Sequence, residues 1–272
     1  MNAPIVDVEN IRYLTKQEHC ALSARIDVAN MTLYRTPDMT IDHQAVLTLG
    51  EQFGLRNVEH NICADDDGVS DVTVKNGDRH GRYIPYTSRQ LSWHTDGYYN
   101  ADDRAIKSFI LHCSEQGIHG GENELLDHEI LFGLLQHDNN IDHQSLFAHD
   151  AFAIPANMDG GEELRERYVG PVFNTVDNRL HMRFSARSRN IEWNTRPAIL
   201  TAVEAIRYYL NHSPLTLKIR LEPGMGIITR NVLHRRSAFV DSHDQRRLVF
   251  RARYRDDIYD QQLSGFRDAL AK

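Results

Sequence analysis

Cysteine is scarce in this 272-residue sequence, which contains three, Cys20, Cys63 and Cys113, at widely separated positions. Such an odd and scattered set excludes a disulfide framework and the paired spacing of a zinc ribbon. Few cysteines without a disulfide pattern are typical of proteins that work in a reducing compartment, so we expect a cytoplasmic location.

The sequence also lacks long hydrophobic runs and an excess of positive charge. No apolar stretch approaches the roughly 18 residues of a membrane span, and Met1 to Asp7 do not show the basic and then apolar order of an export signal. The formal net charge of −7 argues against a general affinity for nucleic acid. We therefore expect neither a membrane nor a nucleic acid as a partner, and we leave open whether the chain forms a homo-oligomer.

What the sequence does contain is the composition of a folded domain, with 41% hydrophobic and 25% charged residues. No internal repeat, low-complexity tract or linker is visible, so a single domain is predicted over residues 1–272. Two helices are predicted near its start. Thr15 and Glu18 form a capping-box pattern for a helix that runs to about Ile26, and Asp42 caps a second helix that Gly54 ends.

Strands dominate the rest of the chain, interrupted by one clear helix. That helix is predicted to have Pro197 in its first turn and Asn194 or Thr195 as its cap. Residues 61–90 are rich in aspartate, glycine and serine, which favours a loop with short strands. Many strands without a β-α-β alternation predict a mainly β sandwich or barrel with helical additions. Strands are predicted at Ile106–Cys113, Leu180–Ser185, Leu217–Leu221, Ile227–Thr229 and Arg247–Tyr254.

The most informative segment is the triplet His94, Thr95 and Asp96. In an extended backbone, residues i and i+2 project to the same side, so His94 and Asp96 can reach one ion together. Two histidines and one carboxylate occupy one face of an iron(II) octahedron and leave three positions open. His234 closely follows the strand predicted at Ile227–Thr229 and is the candidate for the third ligand.

The same residues carry a resemblance to a known family of enzymes. A His-X-Asp triplet, a long insert, a distal histidine and then an arginine, here Arg247, form the pattern of the taurine dioxygenase and γ-butyrobetaine hydroxylase superfamily. The chain resembles this superfamily from about Tyr86 to Tyr254. Further matching segments lie in the same order at Tyr86–Thr87, Leu91–Asp96, Leu111–Cys113, Gly120–Asn123, Leu126–Asp127, Val232–His234 and Ala238–Phe239.

The resemblance implies a double-stranded β-helix, or jelly-roll, core over residues 86–254 and an enzyme that depends on Fe(II), 2-oxoglutarate and O₂. Such enzymes hydroxylate or otherwise oxidise a small molecule and release succinate and CO₂. The resemblance assigns iron to His94, Asp96 and His234. Asp96 also speaks against halogenation, because the related halogenases lack this carboxylate.

The distal carboxylate of 2-oxoglutarate needs a cation, and a guanidinium offers a bidentate match. Arg247 is the predicted partner, since period two in the last strand puts it on one face with Arg251 and puts Arg246 on the other. In the related family, the Gly-Gly-acidic segment ends in a hydroxyl residue that binds the same carboxylate. Asn123 stands at that position here, and its amide can donate the same hydrogen bond.

By the same resemblance, Arg251 corresponds to the arginine that holds the sulfonate in taurine dioxygenase-like enzymes, so an anionic or zwitterionic small-molecule substrate is expected. Trp93 and Tyr98 flank the metal ligands and are predicted to line the substrate pocket or to cage a quaternary ammonium. Two alternatives stay open: a salt bridge from Arg251 to an acidic side chain, and a packing role for the aromatic residues. The segment from Arg187 to Trp193 is a further candidate for the pocket.

Two other functions fit parts of the pattern. A zinc hydrolase could use the same two histidines and carboxylate with a metal-bound water, but it leaves Arg247 unexplained. A jelly-roll sensor could bind a small acid without converting it, although the complete ligand set argues against this reading.

Overall fold

The structure is a computed structural model of the chain, and it describes residues 5–60, 64–75, 81, 83–159, 161–176, 178–187, 189 and 191–258. Over these residues, no helix is both long enough and apolar enough to cross a membrane. Parts of the predicted loop at 61–90, including Cys63, lie outside the described residues. The described part of that loop holds one short strand and one 3₁₀ turn, in agreement with the prediction.

The described residues form four α-helices and a larger number of short strands. The helices are α1 (Lys16–Ala29), α2 (His43–Gln52), α3 (His128–His137) and α4 (Pro197–His212), and 3₁₀ turns lie at Ile84–Tyr86, Asp102–Arg104 and His143–Phe147. The strands are β1 (Ile5–Asp7), β2 (Met31–Arg35), β3 (Ser70–Val72), β4 (Leu91–His94), β5 (Ser108–Glu115), β6 (His119–Gly120), β7 (Asn123–Leu126), β8 (Phe152–Ile154), β9 (Asn157–Asp159), β10 (Glu162–Arg165), β11 (Tyr168–Gly170), β12 (Phe173–Val176), β13 (Arg179–Met182), β14 (Glu192–Trp193), β15 (Leu217–Ile219), β16 (Met225–Thr229), β17 (Leu233–Arg236), β18 (Phe239–Val240) and β19 (Leu248–Tyr254).

The first two helices begin where their caps predict. The side chain of Thr15 accepts a hydrogen bond from the backbone N–H of Glu18, which completes the capping box of α1. Asp42 caps α2 in the same way, and Gly54 follows the end of α2 in a left-handed conformation, with a φ of 78°. Both predictions are confirmed because these signals act within one turn of the chain.

The predicted cap of α4 is wrong, although the helix itself is present. Arg196 precedes α4 and makes no side-chain capping bond, while Asn194 accepts from the N–H of Arg196 outside the helix. Pro197 occupies the first position, where the lack of an N–H costs nothing. The predicted apolar stripe is buried: Ile199, Val203, Ile206 and Leu210. Helix α3 was not predicted, and Asp127 caps it by accepting from Glu129 N–H.

Two sheets build the core and face each other. The larger has six strands in the order β1-β2-β16-β5-β19-β3, and the smaller has four in the order β15-β7-β17-β4. Neighbouring strands pair antiparallel, except that β1 and β2 run parallel. This arrangement confirms the predicted mainly β jelly-roll. The core predicted over residues 86–254 begins too late, because β1, β2 and β3 precede Tyr86 and belong to the larger sheet.

Hydrophobic packing holds the layers together on both sides of the larger sheet. Leu111, Val249 and Ile227 from the larger sheet pack with Leu125 and Leu217 from the smaller one. On the outer face, Phe250 and Tyr254 of β19 pack with residues of α1 and α2. The segment that contains α3 and α4 forms a separate buried cluster beside the smaller sheet. Alternating residues of β19 therefore face either the space between the sheets or the helices.

Strand β5 carries one extra residue opposite the start of β19. Leu248 pairs with Glu115 and Val249 pairs with Cys113, so Ser114 is left out of the pairing. A bulge of this kind bends a strand and increases its local twist.

The single domain predicted over residues 1–272 stays a prediction.

Candidate metal centre

Two histidines meet across neighbouring strands of the smaller sheet. His94 ends β4, His234 lies in β17, and the two residues are direct antiparallel partners. Their ring centroids are 4.2 Å apart, and Phe109 packs 4.7 Å from the ring of His234. Both histidines are buried. The pairing register therefore brings together two residues that are far apart in the sequence.

Asp96 lies in the turn after β4, and Asn231 fixes that turn. The backbone N–H of Asp96 donates to Asn231 Oδ1 at 2.8 Å, and Asn231 Nδ2 donates to the carbonyls of Asp96 and Ile106 at 2.9 and 2.7 Å. Asn231 is itself left-handed, with a φ of 50°. Gly97 follows with a φ of 65°, and a Cβ there would lie 2.4 Å from Ile106 Cγ1. The sequence interpretation missed Asn231, whose three bonds all depend on tertiary contacts.

Backbone carbonyls determine which nitrogen of each imidazole carries the proton. His94 Nδ1 lies 2.9 Å from the carbonyl oxygen of Ser92, and His234 Nδ1 lies 3.0 Å from that of Val232. A carbonyl only accepts, so each Nδ1 donates and each Nε2 keeps a lone pair. Burial, with the neighbouring His94, lowers the pKa of His234 to about 3, which keeps its ring neutral.

Asp96 completes a set of three possible ligands. Burial would raise the pKa of Asp96, but the nearby charges of Arg251 and Arg253 hold it well below its usual range. Its Oδ1 lies 3.5 Å from His94 Nε2, and its Oδ2 is buried without a hydrogen-bond partner. One ligand atom each of His94, Asp96 and His234 lies within 4.8 Å of the others. Two neutral imidazoles and an ionised carboxylate with an unsatisfied oxygen fit a divalent metal such as Fe(II).

Arg247 is a buried cation that directly precedes β19. It is 6% exposed, whereas Arg246 is exposed, as the strand alternation predicts. The only side-chain hydrogen bond of Arg247 to a described residue joins Nη1 to the carbonyl of Val72 at 3.4 Å. No carboxylate forms an ion pair with Arg247 in the described part of the chain. Burial lowers the pKa of Arg247 to about 10, so it remains charged at neutral pH.

The Gly-Gly-Glu-Asn segment adjoins Arg247. A Cβ at Gly121 would lie 3.4 Å from Arg247 Nε, and a Cβ at Gly120 would lie 2.1 Å from the carbonyl oxygen of Ala238. Both glycines have a positive φ, near 75°. Asn123 is buried at the start of β7, and its Nδ2 has no acceptor among the described residues. The segment thus makes room for the Arg247 side chain and ends in a free amide donor.

Two more arginines lie on the inner face of β19. Arg251 Nη1 is 3.7 Å from Asp96 Oδ1, and Arg251 Nε is buried without a hydrogen-bond partner. Arg253 is also buried and donates to the hydroxyl of Tyr99 at 3.3 Å. The sequence interpretation missed Arg253, although the same period of two that selected Arg251 places Arg253 on that face.

The two aromatic residues predicted to contact substrate lie in the hydrophobic cluster around α3 and α4. Trp93 is 3% exposed, alternates with His94 along β4, and has the guanidinium of Arg235 5.0 Å from its ring. Tyr98 is 8% exposed and packs edge-on against Tyr99. These positions favour a packing role. Ser185, two residues before the Arg187 to Trp193 segment, forms an isolated β-bridge with His94. Positions 188 and 190 of the segment lie outside the described residues, and its place in the pocket stays a prediction.

A second group of possible metal ligands in the described residues lies near the surface, at His43, Asp65 and Asp71. His43 Nδ1 is 2.9 Å from an oxygen of Asp67, and His43 Nε2 is 2.8 Å from an oxygen of Asp71. Burial would lower the pKa of His43, but the two aspartates raise it. An imidazole that donates from both nitrogens has no lone pair for a metal. This group is therefore an ion-pair network.

Comparison with known proteins agrees with this geometry. The family model "Taurine catabolism dioxygenase TauD, TfdA family" matches residues 33–253. The chain belongs to the TauD/TfdA family. This membership confirms the predicted enzyme class, a non-haem iron dioxygenase that depends on 2-oxoglutarate. The match begins well before Tyr86, in agreement with the place of β2 in the larger sheet.

Solved structures of other proteins share the fold of this TauD/TfdA member. An asparagine oxygenase in complex with Fe(II), 2S,3S-3-hydroxyasparagine and succinate is 16% identical, with a TM-score of 0.65, 89% of this chain and 80% of that chain covered. AAD-2 in complex with Mn(II) and N-oxalylglycine is 15% identical, with a TM-score of 0.63 and coverage of 94% and 97%. The oxygenase OrfP in complex with Fe and L-Arg is 16% identical, with a TM-score of 0.60 and coverage of 90% and 81%. No curated protein sequence matches the chain significantly.

Proposed function

We propose that this TauD/TfdA dioxygenase holds Fe(II) with His94, Asp96 and His234 and oxidises a small anionic or zwitterionic molecule, with 2-oxoglutarate bound at Arg247. The observation that carries the proposal is the convergence of three ligand atoms within 4.8 Å of one another, together with the buried Arg247, which forms no ion pair with a carboxylate among the described residues. Burying an unpaired charge is costly. A salt-bridge network at the surface avoids that cost, so it does not explain a buried arginine of this kind.

The ligand residues are prepared for a metal by their surroundings. The carbonyls of Ser92 and Val232 hold the two imidazoles in the tautomer whose Nε2 can bind a metal. Asn231 holds the backbone of Asp96, so the carboxylate is presented without movement of the turn. When bound, iron would supply the O₂ chemistry that couples oxidation of the substrate to decarboxylation of 2-oxoglutarate. The protein contributes position and exclusion of water.

Arg247 and Asn123 are the proposed contacts of the distal carboxylate of 2-oxoglutarate. The guanidinium of Arg247 can donate two parallel hydrogen bonds to a carboxylate. Asn123 Nδ2 is a buried donor without an acceptor, a state that a bound carboxylate would relieve. The amide would then replace the hydroxyl found at this position in the related family.

Arg251 is the proposed contact of the substrate. At 3.7 Å from Asp96 Oδ1 it is close enough to stabilise that carboxylate but is beyond direct hydrogen-bonding distance, and its Nε has no partner. A substrate anion would satisfy these donors and would place the reacting carbon relative to the metal. Related structures hold 3-hydroxyasparagine or L-Arg, so free amino acids are the substrates to test first.

The experiment is a screen for substrate-dependent succinate formation with Fe(II), 2-oxoglutarate and O₂. The panel contains amino acids, small sulfonates and trimethylammonium acids. We expect succinate formation to depend on iron, to disappear in His94→Ala, and to rise with at least one anionic or zwitterionic compound. Hydrolysis by the zinc-loaded protein without O₂ would instead support a zinc hydrolase. If the protein binds 2-oxoglutarate but forms no succinate, either with or without a candidate substrate, a sensor would be supported. The cytoplasmic location and the oligomeric state stay predictions.

A further inference from the structure

Two buried arginines lie over the ring of Phe239. The guanidinium carbon of Arg236 is 4.7 Å from the centroid of this ring, and that of Arg247 is 5.3 Å from it. Arg236 is 3% exposed, Arg247 is 6% exposed, and Phe239 is 5% exposed. The face of an aromatic ring attracts cations, and the attraction is stronger where water is excluded. Phe239 therefore stabilises two like charges that would otherwise repel each other at close range.

Arg236 also fastens the segment that leads into β4. Its Nη1 donates to the carbonyl of Pro85 at 3.2 Å, and its Nη2 donates to those of Thr87 and Arg89 at 2.9 and 2.6 Å. The backbone N–H of Phe239 donates to the carbonyl of Ser88 at 3.1 Å, so β18 holds the same segment. Arg236 has no carboxylate ion pair among the described residues. Its charge is held by backbone carbonyls and the Phe239 ring.

Phe239 and Gly121 flank the Arg247 side chain. The guanidinium carbon of Arg247 lies over the Phe239 ring, and a Cβ at Gly121 would lie 3.4 Å from Arg247 Nε and 3.5 Å from its Cδ. Burial and the charges of Arg247 and Arg251 lower the pKa of Arg236 to about 9, which indicates how closely the cations gather. A guanidinium held in one orientation binds a carboxylate with less loss of entropy than a mobile one.

We propose that Phe239 and Arg236 are positioning residues for 2-oxoglutarate: Phe239 sets the orientation of Arg247, and Arg236 locks Phe239 and the 83–89 segment in place. This inference rests on the proposed role of Arg247. Neither residue needs to contact 2-oxoglutarate, and both act through the arginine that does. Their loss should therefore weaken 2-oxoglutarate binding much more than metal binding.

The first experiment measures 2-oxoglutarate binding by anaerobic calorimetry with the full-length protein loaded with Mn(II), in which no turnover occurs. Phe239→Leu keeps a hydrophobic side chain but removes the ring face, and we expect its dissociation constant for 2-oxoglutarate to rise about tenfold. Phe239→Tyr restores a ring and should bind within about threefold of the wild type. Arg235→Gln is the matched control, because Arg235 neighbours Arg236 but pairs with Glu124 instead. All four proteins should bind Mn(II) alike.

The second experiment tests the lock on the 83–89 segment. Arg89 is exposed and offers a trypsin cleavage site at the end of that segment. Arg236→Lys keeps the charge but cannot serve three carbonyls in the same geometry, so we expect faster cleavage after Arg89 and weaker 2-oxoglutarate binding than in the wild type. Arg235→Gln should be cleaved at the wild-type rate.

The outcomes separate this inference from the proposed function. If the wild type binds 2-oxoglutarate and Arg247→Gln does not, but Phe239→Leu binds as tightly as the wild type, the positioning role is wrong while the function stands. Equal losses in Phe239→Leu and Phe239→Tyr would also contradict it, since the ring face would then be irrelevant. If the wild type does not bind 2-oxoglutarate, the role of Arg247 fails and this inference fails with it.

Discussion

Arg251 Nη1 lies 3.7 Å from Asp96 Oδ1, so a buried guanidinium stands beside a carboxylate that is a proposed metal ligand. The distance exceeds that of a direct hydrogen bond, and the pair leaves the Nε of Arg251 unsatisfied. The contact is therefore compatible with both interpretations of Arg251. The side of the guanidinium that faces Asp96 can form a salt bridge, and the remaining donors can bind the anion of a substrate.

Replacement of Arg251 by glutamine should distinguish these readings. If Arg251 anchors the substrate, Arg251→Gln should raise the KM for the primary substrate by at least about tenfold, equivalent to roughly 1.4 kcal/mol, while 2-oxoglutarate affinity changes little. Steady-state kinetics with varied substrate, together with calorimetry for 2-oxoglutarate, makes the comparison. An unchanged KM combined with a lower melting temperature would assign Arg251 to a purely structural salt bridge.

Removal of either histidine should eliminate metal binding. His94→Ala and His234→Ala each leave two of three ligands, and turnover with iron should fall to background. Titration with Mn(II) monitored by calorimetry measures binding without turnover. His212→Ala, an exposed histidine at the end of α4, is the control and should bind the metal as the wild type does. Normal affinity in His234→Ala would show that the metal lies elsewhere.

Arg247→Gln should weaken 2-oxoglutarate binding far more than Arg246→Gln. Removing one partner of a buried charged pair costs about 3–5 kcal/mol, which corresponds to roughly two or more orders of magnitude in the dissociation constant. Arg246 is exposed and next in sequence, so its variant controls for the change of net charge. Comparable affinities in the two variants would disprove the assignment of Arg247.

Asn231→Ala should destabilise the fold and the metal centre together. It removes three buried hydrogen bonds and places alanine at a φ of 50°, so we expect a loss of about 2–4 kcal/mol in the free energy of unfolding. Urea unfolding measures this loss, and Mn(II) titration measures its effect on Asp96. Asn231→Gly keeps the backbone conformation accessible and isolates the side-chain contribution. Full metal affinity in both variants would show that Asp96 does not need this support.

His112 should make stability depend on pH. It is 1% exposed, accepts from or donates to the Tyr34 hydroxyl at 3.0 Å, and burial lowers its pKa from 6.5 to about 4. Between these values only the unfolded chain binds the proton, so stability is lost as the pH falls below 6.5. Urea unfolding should show that the wild type loses about 1 kcal/mol more than His112→Gln between pH 7 and pH 5.5. Parallel losses in the two proteins would mean that His112 is protonated in the folded state.

Local signals in the sequence predicted much of the fold. The capping box at Thr15 and the alternation in β19 act over a few residues, and the structure reproduces both. The cap of α4 was wrongly predicted because Asn194 satisfies a neighbouring turn instead of the helix. The pairing of His94 with His234 could be expected from the family pattern, but its register depends on how β4 meets β17.

The residues that sequence reasoning missed act through contacts between distant segments. Asn231 holds the turn at Asp96, and Arg236 holds the carbonyls before β4. No periodicity or motif marks such contacts, because they depend on how separate strands are placed. Arg253 is different, since the alternation that selected Arg251 also puts Arg253 on the inner face. Trp93 adjoins His94, but alternation along β4 turns its ring towards the hydrophobic core, which favours the packing alternative over the pocket role.

The bulge at Ser114 shifts the register between β5 and β19. It lies on β5 opposite the step between Leu248 and Val249, and therefore between Arg247 and Arg251 along β19. The bulge adds local twist at that step, between the positions of the two arginines. A change in the length of β5 at Ser114 would alter the strand pairing next to Arg247 while leaving the pairing of Arg251 with Leu111 in register. If Arg247 and Arg251 bind the co-substrate and the substrate as proposed, such a change would alter co-substrate affinity and leave the substrate contact in place.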